Sequence, residues 1–201
     1  LVRWGGLGGA LALLAACYLP LRFDAEIEIA RTGHYTMVFD GYIAALPLYD
    51  DLRKRKLTSA EEEKRRVELV LTDFKRDGGT KEIQYFKQGV FRVKWENQGD
   101  LIVNKMVTFI RRNANMLSIS YVEPTGQIKM AGASISQDNA KLLTQAGLGM
   151  EGELRVITDA KVISHNATFV RDNPAKGPRF KTYVWKIVGF GRSPSLIIAL
   201  R

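Results

Sequence analysis

The sequence predicts an α+β fold: a mainly antiparallel β-sheet carrying an inserted helical hairpin and a short extra helix. Three observations predict it. Strict apolar–polar alternation marks several segments as half-buried strands. A single block near residues 44–77 switches to helical spacing. Helices are missing between most of the other strands, which excludes a doubly wound parallel sheet.

The first strand lies in RFDAEIEIAR, where Phe23, Ala25, Ile27 and Ile29 share one face and Asp24, Glu26 and Glu28 the other. Arg31-Thr32-Gly33-His34 reads as a turn, and YTMVFDGYI resumes in phase through Tyr35, Met37 and Phe39, giving a hairpin. AALPLYDDLRKRK then reads as a short helix with Pro47 in its first turn. Ser59 and Glu62 form a capping box, Val67, Val70, Leu71 and Phe74 recur at helical spacing, and Gly78-Gly79 stop the second helix. Strands are expected near 80–87, 90–97, 101–110, 116–122 and 127–135, the clearest being VFRVKWE with Phe91, Val93 and Trp95 inward. Asn97-Gln98-Gly99-Asp100 and Pro124-Thr125-Gly126 read as turns. QDNAKLLTQA (137–146) is the extra helix, ending at Gly147, and strands follow near 153–158, 180–188 and 194–200, with a loop at Asp172–Gly177.

Before this body stands LVRWGGLGGALALLAAC. One basic residue, Arg3, precedes a ten-residue apolar run, Leu7 to Ala16. A helix crossing the hydrocarbon needs about 20 apolar residues, so the layout is that of a secretory signal. Leu14-Ala15-Ala16-Cys17 resembles the lipobox of bacterial lipoproteins, whose cysteine is acylated on sulfur and becomes the new amino terminus. The expected organisation is a signal peptide over 1–16, a lipidated anchor and tether over 17–21, and one extracytoplasmic domain over 22–201. Two or three acyl chains, at about 0.8 kcal/mol per buried methylene, make such an anchor effectively permanent. Tyr18 rather than Asp follows the cysteine, favouring the outer membrane in a Gram-negative host.

Composition narrows the function. Cys17 is the sole cysteine and His34 and His165 the sole histidines, so an internal disulfide or a cysteine zinc cluster is excluded. No metal and no cofactor are expected. Thirty basic against 21 acidic residues leave a net charge of +9, which favours an anionic partner. The densest basic feature is Arg53, Lys54, Arg55 and Lys56 with Lys64, Arg65 and Arg66, flanking the turn of the helical hairpin. It is a candidate contact for an anionic lipid or an acidic protein; the alternative is a solvated face neutralised by Glu61, Glu62 and Glu63. Nucleic acid is not expected for an exported chain.

The remaining motifs favour no enzyme. Gly147-Leu148-Gly149-Met150-Glu151-Gly152 spells G-x-G-x-x-G, but with a helix before it and a strand after it, the reverse of a dinucleotide site. His165 has no serine elbow to serve, and Asp172 alone makes no triad. Asn166-Ala167-Thr168 is a glycosylation sequon by pattern only. Trp95, Trp185 and the tyrosines are core or groove-lining candidates, with Trp95 placed in the core by its alternation.

LRVITDAKVISHNATFV from Leu154, the tryptophan of YVWKI and the closing PSLIIAL resemble LppM-type envelope lipoproteins. Chains of that type also open with a lipidated cysteine, a β-hairpin and a helical insertion, but run on into a carboxy-terminal membrane helix, whereas this sequence as given stops at Leu200-Arg201. The resemblance implies a non-enzymatic envelope lipoprotein and carries over no catalytic residue. Two roles follow as expectations: a binding or assembly module working through the basic hairpin, or a carrier that shelters an acyl chain in an apolar cavity beneath the sheet and helices. A hydrolase would instead gather His34 or His165 with a carboxylate in a cleft.

Overall fold

The computed structural model describes residues 18–57, 59–109 and 116–200. Residues 1–17, with Cys17 and the expected signal peptide, lie outside the described residues.

The expected hairpin is present as β1 (Tyr18–Ile29) and β2 (His34–Ala45), paired antiparallel from Ile29↔Tyr35 to Tyr18↔Ala45. Its turn closes on Gly33, whose φ of +94° suits a residue without a Cβ. The strand starts earlier than expected. Residues 18–21, read from the sequence as tether, belong to β1, and Tyr18 and Leu19 are buried.

Within the 44–77 block lie α1 (Leu46–Arg53) and α2 (Ala60–Lys75). Pro47 occupies the first turn of α1. The Ser59 hydroxyl accepts the Glu62 amide at 3.1 Å, fixing the start of α2. Val67 and Phe74 then point into the core, with Val70 and Leu71 packed beside them.

The chain continues through β3 (Thr80–Lys87), β4 (Val90–Asp100), the single turn α3 (Leu101–Asn104), β5 (Met106–Phe109), β6 (Leu117–Val122), β7 (Gln127–Gly132), α4 (Gln137–Gln145), β8 (Glu151–Thr158), β9 (Lys161–His165), β10 (Phe169–Asp172), β11 (Lys181–Val188) and β12 (Ser195–Ala199). Two expectations are corrected here. Asn97–Asp100 is ladder rather than turn, with Asp100 opposite His34. The strand expected over 101–110 is cut short, because the Asp100 carboxylate accepts the Ile102 amide at 2.7 Å and caps a helical turn.

The strands form two sheets, ordered β10-β11-β8-β1-β2-β4-β3 and β5-β6-β7-β12-β9. Pairing is antiparallel except between β1 and β8, which run parallel from Arg22↔Glu151 to Ile29↔Thr158. The smaller sheet covers the inner face of the larger one. Phe109 of β5 meets the rings of Phe39 and Trp95 at 5.2 and 5.7 Å, which ties the layers through edge-on aromatic contacts. Ile27, Met37, Phe91, Val93 and Val156 complete this core with no exposed surface.

A second apolar cluster lies on the other side of the larger sheet. Leu19 and Ala44 alternate with Tyr18 and Ala45, so they face away from the main core. They pack with Leu46, Leu143 and Leu148. The last two belong to the end of α4: the Leu148 amide donates to the Leu143 carbonyl and the Gly147 amide to that of Thr144, a Schellman closure with Gly147 at φ +83°.

Candidate functional site

At one end of the sandwich β1, β8, β6 and β12 begin and β11, β7 and β5 end. An apolar cleft of about 80 Å³ opens there between the sheets. Register builds its floor. Phe23, Gly152 and Ile187 form one row across β1, β8 and β11, and Ala25, Leu154 and Trp185 the next, so Phe23, Ile187, Ala25 and Leu154 line the larger sheet's side. Phe109, Met116 and Leu117 line the opposite side.

The outer wall is the loop Gly189-Phe190-Gly191-Arg192-Ser193-Pro194. It is held in place. The Gly189 amide donates to the Met150 carbonyl at 2.7 Å, the Gly132 amide to the Pro194 carbonyl at 2.8 Å, and the Ser193 hydroxyl to the Ala133 carbonyl at 2.7 Å. The lining is therefore almost entirely carbon, its polar backbone groups being turned to one another. Arg192 stands exposed at the rim with no ion pair among the described residues.

Size limits what enters. A dry cavity of roughly 150 Å³ holds a benzene ring, so this cleft admits the end of one acyl chain or one aliphatic side chain, not a whole lipid. Of the residues singled out from the sequence, Phe23 and Ala25 of the first strand and Met150 of the G-x-G-x-x-G segment line it, but none of the proposed site residues does: Trp95 is core, as alternation predicts, and Trp185 is buried with its indole N–H donating to Asn166 Oδ1 at 2.7 Å. A cavity beneath the helices is not where the carrier reading finds its cleft. The signal in the sequence was the G-F-G-R-S-P loop, whose small residues and proline are individually ordinary.

The seven hairpin cations singled out from the sequence behave differently from one another. Arg53 and Lys54 pair with Asp50 at 3.3 and 2.7 Å, and Lys56 and Arg66 with Asp51 at 3.3 and 3.1 Å. The two aspartates of α1 thus neutralise them, rather than Glu61–Glu63; Glu63 instead accepts the Tyr85 hydroxyl at 2.6 Å. Arg55, Lys64 and Arg65 are exposed and unpaired among the described residues. Residues 50–77 hold nine basic and eight acidic side chains, so the hairpin as a whole attracts an anion only weakly.

The histidines lie on different sheets. His34 Nδ1 lies 3.4 Å from the Thr32 hydroxyl and 3.9 Å from Asp100, so both neighbours compete for one nitrogen instead of forming a nucleophile–base–carboxylate relay. The His165 ring packs edge-on against Tyr183, and its Nδ1 accepts the Ala167 amide at 3.2 Å. The G-x-G-x-x-G segment joins α4 to β8, helix before strand, as expected. Among the described residues no group of three or more His, Cys, Asp or Glu is placed to hold a metal, and no helix is long and apolar enough to cross a membrane.

No family model matches the chain, and no curated protein does. Among solved structures it is similar to the folded domain of LppM from Mycobacterium tuberculosis, at 14% identity and a TM-score of 0.40, over 89% of each chain. It is also similar to an M1 zinc metallopeptidase from Deinococcus radiodurans, at 12% identity and a TM-score of 0.35, over 91% of this chain and 42% of that one. Likenesses this remote fix neither the fold nor the chemistry, which rest on the geometry above.

Proposed function

We propose that the chain is an envelope lipoprotein held through acylated Cys17, and that its body is a non-enzymatic binding module for an anionic amphiphile. The acyl end of the ligand enters the cleft between the sheets, and Arg192 at the rim meets the head group. The observation that carries this reading is the apolar cleft itself: a pre-formed, carbon-lined site beside Arg192, which has no ion pair among the described residues. Burial of a chain end supplies the affinity, at about 25 cal/mol per Å² of apolar surface, and the guanidinium supplies preference for a negative head.

The basic hairpin supports a second reading, docking of an anionic surface on Arg55, Lys64 and Arg65, since these three keep their charge unspent. One titration separates the two. The purified full chain is titrated with a fluorescent fatty acid. Ala133→Trp, which fills the mouth of the cleft, lowers affinity at least tenfold, and Arg192→Glu lowers it for the anionic probe but not for its methyl ester. Lys64→Glu with Arg65→Glu leaves binding unchanged. Unaltered binding by Ala133→Trp overturns the cleft; a loss in the Lys64/Arg65 pair favours the hairpin. The anchor is read separately, by incorporation of a palmitate analogue into the wild-type chain and its disappearance in Cys17→Ala.

A further inference from the structure

The end of the sandwich that carries the cleft is also the end at which the chain arrives from Cys17. Pro20 lines the cleft, and β1 starts at Tyr18 with no intervening linker. Three Cα steps separate Cys17 from Pro20, so the rim stands at most ~11 Å from the Cα of the proposed anchor. We infer that this end of the body rests on the surface of an anionic bilayer and that the cleft takes its ligand directly from the leaflet holding the anchor. The inference rests on the lipoprotein and cleft readings above and adds the source of the ligand.

The exposed chemistry of this end fits that occupant. Val188 is the most exposed large hydrophobic among the described residues, at 82%. It lies in one register row with Glu151 and Arg22, on the outer face next to the cleft wall. Phe190, half-buried against the second apolar cluster, follows it in the loop beside Lys141 of α4. Arg22, Lys141 and Arg192 are exposed or rim cations with no ion pair among the described residues, against the carboxylate of Glu151 between Arg22 and Val188. An apolar tip flanked by free cations is what an interface between acyl chains and negative head groups selects. A ligand lifted from the leaflet then passes into the cleft over Val188 and Phe190 while its head group exchanges onto Arg192. Its chain does not cross open water.

The lone cysteine makes the test direct, because acylation of Cys17 leaves no other thiol. Val188→Cys and Thr32→Cys are introduced separately into the full chain and labelled with a solvent-sensitive dye. The unsubstituted chain sets the labelling background. Thr32 sits in the exposed turn beyond the other end of β1, past roughly 23 Å of strand from Arg22, in the row of Val188, to Ile29. The proteins are reconstituted into phosphatidylcholine vesicles with and without phosphatidylglycerol, containing a brominated phospholipid as quencher. Expected is a blue-shifted label at 188, quenched several-fold more than at 32, with the contrast larger when phosphatidylglycerol is present. Equal solvent exposure and equal quenching at both sites overturn the docking. Retained fatty-acid binding by the same labelled proteins then shows that the cleft stands and only its contact with the membrane has failed.

Discussion

Phe23 shows how much hangs on single residues. Its ring stacks on Phe39 at 5.8 Å and lines the cleft, and it fits because the neighbours on either side are glycines. A Cβ on Gly41 would lie 2.4 Å from the Arg22 carbonyl oxygen and 2.6 Å from the Phe23 Cβ; one on Gly152 would lie 2.5 Å from the Phe23 carbonyl oxygen. These are backbone and near-backbone atoms, so they cannot swing aside. Gly41→Ala is expected to cost about 1–3 kcal/mol in urea unfolding, whereas Gly149→Ala, where a Cβ meets nothing within 4 Å, is expected to be near neutral. Neither requirement was legible in sequence, since a bulge between Pro20 and Phe23 creates it. Asn166 is a similar case. It reads as a sequon, but its Oδ1 accepts both the Trp185 indole N–H and the Ser195 amide at 2.7 Å, and its amide donates to the Ser193 carbonyl at 2.8 Å. Its role is to tie β12 and the cleft loop to Trp185. Trp95, by contrast, was placed by alternation alone.

Among elements, the legible ones carried strong periodicity or explicit end signals. The β1–β2 hairpin, α2 with its Ser59 cap and α4 with its Gly147 stop all appear where spacing predicts them. β9 and β10 were not legible because both are edge strands with mostly exposed side chains, so no alternation marks them. The short α3 was hidden because Leu101, Ile102 and Val103 favour strand by type, and the Asp100 cap overrides that preference. The α1–α2 hairpin was found, but which charges it spends internally was not. Burial pushes the Asp50 carboxyl up, and hydrogen bonds from Lys54 and Arg53 with their positive charges outweigh this and hold it below its ordinary value. A carboxyl depressed in the folded state contributes stability above its unfolded pKa, and that stability is lost as pH falls through the folded value. Asp50→Asn is therefore expected to destabilise the protein at neutral pH by at most about 1 kcal/mol, given its solvent screening. The difference from wild type should narrow in urea titrations as pH falls below the ordinary carboxylate range.

At the scale of the whole molecule, the sequence specified an α+β body rich in antiparallel pairs, and the structure agrees. It did not specify a second sheet, because residues that pack sheet on sheet alternate exactly as residues that pack under a helix do. Phe109 joins the two layers. Phe109→Ala is expected to lower stability by about 3–5 kcal/mol, with circular dichroism and tryptophan fluorescence still reporting one coincident transition; two separated transitions would mean that the sheets unfold independently. The parallel pair has a consequence for how the protein is made. β1 occupies the middle of the larger sheet, yet its partner on one side, β8, is 129 positions further along the chain. Until that late strand has been synthesised, the earliest strand presents an open row of amides and carbonyls to whatever is nearby. Completion of this sheet must wait for β8, β10 and β11, so a chaperone has a long interval in which to guard that edge.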